Sequence, residues 1–465
     1  MLCLTGAAAG AATLFEQDAT TSIDKGIEWL ATAGAYNNPS SAGQAAGLTL
    51  LALLEKRPGA DLDAAPQGYS GASETDQGRM RKTVAYIIGQ VNSVPFDLSY
   101  RDGQNIMALS LYLRTGGLDR GQHADLPAAL PYTVLGALNA MFDRIKSYQR
   151  ASGYWCYGPS FQNCDDSSTT QFVMAGLAGL RAVYSDVGKP WADAARLTDL
   201  NAMAAKARQA YQTNGTLSLT SAACGNLGGD ERAHGYNVGN TPSLQQTGSG
   251  VWIQLAGGAD VNDASVQGYL KWIRNRYRYS DLASAGAGWP SYWYYMWSTS
   301  KALLFIRNSG VAVAPGNITG NNMGTLPAAD APACNQRQLH RDPATDARIA
   351  LFGAGGAGYY LGQPKDFYYD FAYEVMRRQQ ASGQYTDAFG SSSWNIYSRQ
   401  AYALLILQRS VGGGCIDSDQ DGVCDTDEGG GEEPVQALYC DADFDGIIEY
   451  SDIAAIGKLI NGTYK

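Results

Sequence analysis

The residues best suited to chemistry lie near the C-terminal end of the chain, where aspartates alternate with other residues. The candidate cation ligands are Asp417, Asp419, Asp421, Val423, Asp425 and Glu428, and a glycine lies at 422. Alternating carboxylates, a carbonyl after the glycine turn, an aspartate acting through water and a bidentate glutamate form the oxygen cage that Ca²⁺ takes. A solvated acidic linker is the alternative, but carboxylates this close repel one another without a cation between them. We therefore predict Ca²⁺ as the cofactor of this loop.

A second acidic loop of the same kind follows closely. Its candidate ligands are Asp441, Asp443, Asp445, Ile447 through its carbonyl, and Asp452 at the closing position. Ile453, Ile456, Leu459 and Ile460 then recur at helical spacing. The sequence therefore predicts two calcium sites, the second followed by an amphipathic helix.

The remaining candidate acids are fewer and lie far upstream. Asp230, Glu231 and His234 fall within one long loop and could form an acid/base group. The alternative, which we favour, is an ordinary solvated loop. Asp165 and Asp166 precede a helix that should begin near Ser168, and the simpler interpretation is that Asp166 or Ser167 caps that helix.

Composition restricts the classes of partner. The chain has 465 residues, of which 45% are hydrophobic, and its formal net charge is −10. A chain of this length can bury a large core. The acidic balance and the lack of a basic stripe exclude nucleic acid as the expected partner. No stretch is long and apolar enough to predict a transmembrane segment.

Apolar residues at helical spacing predict an all-α fold of about six antiparallel helix pairs. The predicted pairs are 23–32 with 44–54, 82–91 with 104–113, 130–150 with 169–184, 199–213 with 244–256, 266–277 with 294–307, and 367–380 with 395–407. The second member of each pair is rich in small apolar residues, which suits close packing around an axis. Such pairs could close into a ring or stack into an open solenoid, and we favour the ring.

One turn between helices occurs twice. Gln149, Gly153, Tyr154 and Trp155 form the first copy, and the segment 379–385 repeats it with a glycine at 383. Glycine accepts left-handed backbone angles at little cost, so both helices should end there. The distance to a downstream glutamine, Gln171 or Gln400, is about the same in both copies. The same helical hairpin is therefore expected twice.

These motifs resemble known families. The segment 149–155 resembles the QW-type repeat of the squalene–hopene cyclase and prenyltransferase superfamily. The segment 166–171 resembles the Asp-x-Ser-x-Thr-Gln motif of related bacterial repeat proteins. The resemblance implies an (α/α)6 toroid. Asn163, Asp165 and Asp166 are similar to the Asp-x-Asp-Asp acid motif of class II terpene cyclases, with Asn163 in place of the first aspartate. There, Asp165 would protonate an alkene.

The acidic tail resembles two extracellular calcium modules. The first loop is similar to a thrombospondin type 3 repeat, because glycines follow it instead of a helix. The second loop and its helix resemble a single dockerin unit, which makes the module EF-hand-like. The resemblance implies a calcium-dependent partner for the tail, a cohesin in the dockerin case.

The expected domain organisation follows from these features. Residues 1–12 are apolar and small, and are expected to be the remnant of a secretion signal, the alternative being the first turn of a packing helix. Residues 13–410 form the toroid. Residues 411–435 are a Gly-rich acidic linker with the first calcium loop, and 436–465 hold the second loop and helix. In an oxidising compartment, Cys156 and Cys164 are expected to form a disulfide.

The leading functional hypothesis is a secreted, extracellular or cell-surface protein that binds or assembles with a protein or polysaccharide partner, self-assembly included. The aromatic cluster Trp289–Trp297 and the group Tyr359, Tyr360, Phe367, Tyr368 and Tyr369 could stack on sugar rings, although plugging gaps between helices is their simpler role. The first alternative is a polysaccharide-active hydrolase or lyase that uses Asp230 and Glu231. The second is a cyclase-like enzyme that uses Asp165.

Overall fold

The computed structural model describes residues 12–62, 64–161, 163–215, 230–280, 291–308, 311–325, 337–386 and 395–410. Both predicted calcium loops, the predicted signal remnant except its last residue, and all cysteines except Cys156 and Cys164 lie outside these residues. The described residues contain twelve α-helices and no β-strand: α1 Leu14–Thr32, α2 Ala46–Leu54, α3 Glu74–Gly89, α4 Leu98–Arg114, α5 Val134–Tyr148, α6 Ser167–Tyr184, α7 Ala194–Asn214, α8 Leu244–Ala256, α9 Ala264–Asn275, α10 Tyr292–Asn308, α11 Phe367–Arg377 and α12 Ile396–Leu407.

The all-helical prediction is confirmed, and each predicted pair corresponds to two of these helices. The largest difference is at the start of the first two pairs, where α1 and α3 begin about eight residues earlier than expected. Thr13 and Glu16 form a capping box at α1, and Ser73 accepts a hydrogen bond from the Asp76 N–H at α3. Apart from Leu14 and Phe15, these first turns consist mainly of polar or small residues, so hydrophobic spacing does not reveal them, whereas the caps contribute to their stability.

The second helix of each pair is almost entirely buried. All residues of α2 and α8 are buried, and so are all but one residue of α6. Each of these even-numbered helices packs against the next one in order, from α2 through α4, α6, α8 and α10 to α12, and α12 packs in turn against α2. Most odd-numbered helices bury only one face, as in α5 and α9, whereas α11 buries every residue except Arg377. The first and last helix pairs are therefore neighbours, since α1 also contacts α12.

Both copies of the predicted glycine turn adopt the left-handed conformation. The φ angle is +94° at Gly153 and +89° at Gly383. Each glycine also lies against the next outer helix: a Cβ built on Gly153 would be 2.6 Å from the Lys206 carbonyl, and one on Gly383 would be 2.1 Å from the Lys25 carbonyl. Glycine is therefore required twice over, for the backbone angle and for the close approach.

Among the residues that the structure describes, no helix combines the length and the apolar character needed to cross a membrane.

Candidate functional site

Four aromatic side chains form a partly exposed cluster, which we call the aromatic platform: Phe96, Tyr157, Phe161 and Tyr236. Phe96 and Phe161 are 56% and 50% exposed, although they are apolar. The Phe96 ring stacks on Tyr157 with centroids 5.3 Å apart and lies 5.6 Å from the Phe161 ring. The Tyr157 and Tyr236 hydroxyls are hydrogen-bonded to each other. Exposed apolar residues gathered in one place are typical of an interaction site.

Two of the even-numbered helices, α4 and α6, hold the platform through hydrogen bonds from their first turns. The N–H of Ser99 in α4 donates to the Tyr157 carbonyl at 2.8 Å, and the N–H of Ser167 in α6 donates to the Tyr236 carbonyl at 3.0 Å. The first N–H groups of a helix have no partner within it, so these loop carbonyls satisfy donors that would otherwise be unpaired. The platform thus lies at the N-terminal ends of α4 and α6.

A disulfide and a glycine fix the loop that carries Tyr157 and Phe161. Cys156 and Cys164 are bonded, as predicted, and close the loop between them. Within it, the Phe161 N–H donates to the Gly158 carbonyl at 2.9 Å. A Cβ on Gly158 would lie only 2.9 Å from the Phe96 carbonyl, so a larger residue would push the two loops apart. The rings are therefore positioned by covalent and backbone constraints.

Asp166 is a buried carboxyl at the base of the platform. As predicted, it caps a helix: its Oδ1 accepts hydrogen bonds from the Thr169 N–H at 2.6 Å and the Ser168 hydroxyl at 2.7 Å, and α6 begins at Ser167. Burial raises the pKa of Asp166, while the Thr169 N–H and the Tyr236 hydroxyl act to lower it. Proximity to Asp166 in turn contributes to the raised pKa of Tyr157, which burial, the larger cause, brings to about 12.

A column of aromatic rings leads from the platform into the interior. Tyr157 stacks on Tyr100 at 6.4 Å, and Tyr100 contacts Phe172 at 4.2 Å between centroids. Phe172 in turn stacks on Trp297 at 5.2 Å, and Trp297 lies 5.2 Å from Tyr402. These rings come from α4, α6, α10 and α12 and are buried. The space between these four helices, next to the platform, is therefore filled by side chains.

Asp165 lies beside the platform and is half-buried. It accepts hydrogen bonds from Arg150 Nε at 2.9 Å and from the Ser152 hydroxyl at 2.7 Å. A cleft of about 530 Å³ adjoins this group, lined among others by Tyr148, Arg150 and Asn163. Asp165 thus forms an ion pair at the surface, whereas an acid that protonates an alkene would be expected in a buried, apolar environment.

Asp230 and Glu231 have separate partners. Asp230 accepts from Lys271 Nζ at 2.7 Å, and its side chain is 72% exposed. Glu231 is fully buried and binds the Arg276 guanidinium at 3.1 Å and the Asn275 amide at 2.7 Å. Both pairs join the loop before α8 to the C-terminal part of α9, and they make a structural role for the two carboxylates the simplest interpretation.

His234 is buried between two tyrosines. Its Nδ1 lies 2.7 Å from the Gly235 carbonyl, to which it donates, so Nε2 accepts from the Tyr154 hydroxyl at 2.7 Å. The Tyr211 ring lies 4.5 Å away between centroids. Burial lowers the pKa of His234 to about 4, which keeps the imidazole neutral at pH 7. His234 therefore connects the loop before α8 to the turn after α5 through this hydrogen bond.

The aromatic clusters singled out in the sequence serve mainly as packing. Trp293, Trp297, Phe367, Tyr368 and Tyr369 are buried, and Trp289 lies outside the described residues. No sequence motif pointed to the platform residues Phe96, Tyr157 and Phe161. The one local signal was the apolar run Val94-Pro95-Phe96 in a loop, because such residues have no buried helix face to occupy.

The described residues provide no set of ligands for a metal ion. Across the described ranges, no cluster of three or more His, Cys, Asp or Glu side chains could hold a metal ion. All eleven predicted calcium ligands, from Asp417 to Asp452, lie beyond those ranges. The two predicted calcium sites therefore stay predictions.

Comparison with known proteins adds no assignment. No family model matches the chain, and no curated protein matches its sequence.

Proposed function

We propose that this chain is an extracellular (α/α)6 toroid that binds polysaccharide on its aromatic platform and is attached to a partner or surface by a calcium-binding tail. The observation that carries the proposal is the platform itself, an exposed and rigidly held set of aromatic rings. The toroid is supported by the cyclic packing of the even-numbered helices, in which α12 contacts α2. In such a ring the platform lies at the end where the inner helices begin.

The chemistry of the platform favours a sugar as its ligand. The C–H face of a pyranose ring is apolar and packs on an aromatic ring, while its hydroxyls need hydrogen-bond partners. Here the Phe96 ring stacks on Tyr157, whose hydroxyl is hydrogen-bonded to that of Tyr236, and Asn163 follows Phe161 closely in the chain. A protein partner would be expected to use a larger apolar area than two phenylalanines.

The calcium-binding tail supports the second half of the proposal. Two acidic loops after a glycine-rich segment are typical of extracellular modules that fold around Ca²⁺. Extracellular Ca²⁺ is abundant enough to fill sites of modest affinity, and the Cys156–Cys164 disulfide is suited to the same oxidising compartment. Together they favour secretion.

A pull-down on insoluble polysaccharides tests the binding proposal. The full chain is incubated with cellulose, chitin and xylan, and the bound fraction is measured against protein concentration. We expect Phe96→Ala/Phe161→Ala to weaken binding at least tenfold, since each lost stacking contact contributes about 1 kcal/mol. The matched control is Leu361→Ala, which removes an apolar side chain that is 67% exposed elsewhere.

The outcome of the pull-down is decisive in either direction. Retention that depends on the platform and not on Leu361 supports polysaccharide binding. Equal retention of both variants contradicts it, and so does a full chain that none of the polysaccharides retains. In the latter case, a protein ligand for the platform becomes the alternative.

A second candidate function is polysaccharide cleavage with Asp166 as the acid. It is favoured by the position of this buried carboxyl at the base of the platform and by the direction of its pKa, which burial raises. Asp166→Asn is a clean test, because asparagine caps a helix as well as aspartate does. If the chain cleaves polysaccharide, this variant should lose the release of reducing ends while keeping its stability and its binding.

A further inference from the structure

Lys301 is fully buried in α10, on the side of the helix that faces the other inner helices. Its Nζ lies 4.2 Å from the ring centroid of Trp252 and 4.2 Å from that of Trp297. Trp297 is one turn before it on α10, and Trp252 belongs to α8. Within the described residues, Nζ has no hydrogen-bond partner. A buried ammonium held only by aromatic faces is unusual, since lysine is rarely fully buried without a paired acid.

The two tryptophans share this lack of an acceptor. Trp252 Nε1 and Trp297 Nε1 are both buried, and neither has a hydrogen-bond partner in the described part of the chain. Three donors from neighbouring side chains are therefore unsatisfied together. Buried donors almost always have an acceptor, because each has given up a hydrogen bond to water. The cluster has the composition of a site for a ligand that only accepts.

We propose that Lys301, Trp252 and Trp297 form a binding site for one small monovalent anion of the halide class. The ammonium supplies a single positive charge, which a monovalent anion neutralises and a divalent anion would not. The indole rings flank Nζ on two sides, each with its centroid 4.2 Å away, so the anion would lie close to both rings. The site is distinct from the aromatic platform, and the proposal does not depend on a polysaccharide ligand.

Anion binding at this site must be coupled to proton uptake. Burial alone lowers the pKa of Lys301 well below its ordinary value, without a contribution from any charged side chain. The titratable groups packed on Trp297 are the Tyr294 and Tyr402 phenols, at 6.2 and 5.2 Å between ring centroids. An anion stabilises the protonated amine, so the affinity rises as the pH falls. Above the pKa of the free site, one pH unit changes Kd about tenfold.

The C-terminal end of α10, away from the platform, offers the shorter route by which an anion could reach Lys301. Phe305 lies one turn beyond Lys301 on α10 and is only half-buried. Its ring contacts Trp252 edge-on, with centroids 5.5 Å apart. A rotation of this one side chain would open the space next to Trp252, whereas the aromatic column closes the end at the platform.

Bromide is a suitable probe, because a heavy halide quenches indole fluorescence on contact. The full chain is titrated with sodium bromide at constant ionic strength, with sodium gluconate as the balancing salt. We expect a saturable loss of emission in the wild type, with a Kd that rises as the pH is raised. Lys301→Met, which is neutral and of similar length, should abolish the saturable phase. Lys206→Met, at an exposed position in α7, is the matched control and should retain it.

Two results would overturn the proposal. One is quenching that is linear in bromide and equal in the wild type and Lys301→Met. The other is a saturable phase whose Kd does not change with pH. If Lys301→Met does not fold, calorimetry of the wild type in two buffers of different ionisation enthalpy decides the question. Uptake of one proton per bromide supports the site, and uptake of none contradicts it.

Discussion

Gln149 and Gln379 make the same two hydrogen bonds in two different turns of the chain. Gln149 Nε2 donates to the Gly153 carbonyl at 3.2 Å and to the Met203 carbonyl at 2.9 Å. Gln379 Nε2 donates to the Gly383 carbonyl at 3.1 Å and to the Ser22 carbonyl at 2.8 Å. Each glutamine thus joins its own turn to the next outer helix, α7 in one case and α1 in the other.

The energetic effect of the close approach at one of these turns can be measured by substituting two glycines that have the same φ angle. Gly383 and Gly188 both have a φ of +89°, but a Cβ on Gly188 would meet nothing within 4 Å, whereas one on Gly383 would lie 2.1 Å from the Lys25 carbonyl. We expect Gly188→Ala to cost about 1 kcal/mol from backbone strain. Gly383→Ala should cost a further 1–3 kcal/mol, roughly, from the steric clash. Urea unfolding measures both losses, and equal losses would contradict the packing of this turn on α1.

His234 should make the stability of the fold depend on pH. Its pKa is about 4 in the folded chain and 6.5 in the reference state, because burial disfavours the imidazolium. Between these values the unfolded chain binds a proton that the folded chain does not, so the free energy of unfolding falls as the pH falls. The loss from pH 7 to pH 4 is on the order of 3 kcal/mol.

The variant His234→Asn isolates this contribution from that of the carboxylates. Its free energy of unfolding is subtracted from that of the wild type at each pH in urea titrations. The difference should favour the wild type most at pH 7 and decline toward pH 4. A difference that is constant with pH would mean that the imidazole is not buried as described.

Substitution of Glu231 should destabilise the fold far more than substitution of Asp230, although the two residues are adjacent. Glu231→Leu leaves the Arg276 guanidinium buried opposite an apolar side chain and should cost about 3–5 kcal/mol. Asp230→Ala removes an exposed pair with Lys271 and should cost less than about 1 kcal/mol. Thermal and urea unfolding compare the two variants. If Glu231→Leu keeps full stability but loses an activity, the carboxylate is catalytic and the structural interpretation is wrong.

The calcium proposal is tested by removing one loop at a time from the full chain. Asp417→Ala/Asp419→Ala and Asp441→Ala/Asp443→Ala each delete two carboxylate ligands of a predicted cage. Calorimetry should show two Ca²⁺ ions bound to the wild type, one to each double variant, and none to a chain with all four substitutions. Unchanged stoichiometry in a double variant would remove that loop from the proposal.

The helices, one of their caps and the glycine turns could be predicted from the sequence because they depend on residues close together in the chain. Asp166 at the start of α6 and the left-handed Gly153 are of this kind. The platform could not be predicted, because Phe96 and Phe161 are brought together only by the packing of α4 against α6. The ion pair between Glu231 and Arg276 could not be predicted for the same reason, since Arg276 follows a separate helix. Lys301 could have been noticed as a charge within an apolar, aromatic helix, four residues after Trp297.

The contact between the last inner helix and the first has a consequence for biosynthesis. Gln400 Nε2 donates to the Gly26 carbonyl at 3.1 Å, and Gln408 Nε2 donates to the Ala52 carbonyl at 2.8 Å. A ribosome makes α1 and α2 first and α12 last, so these bonds cannot form until residues 400–408 have been translated. Until then, the apolar surfaces that α12 covers on α1 and α2 are open to other chains. Such late, long-range contacts slow folding and leave the apolar surface of α2 exposed during synthesis.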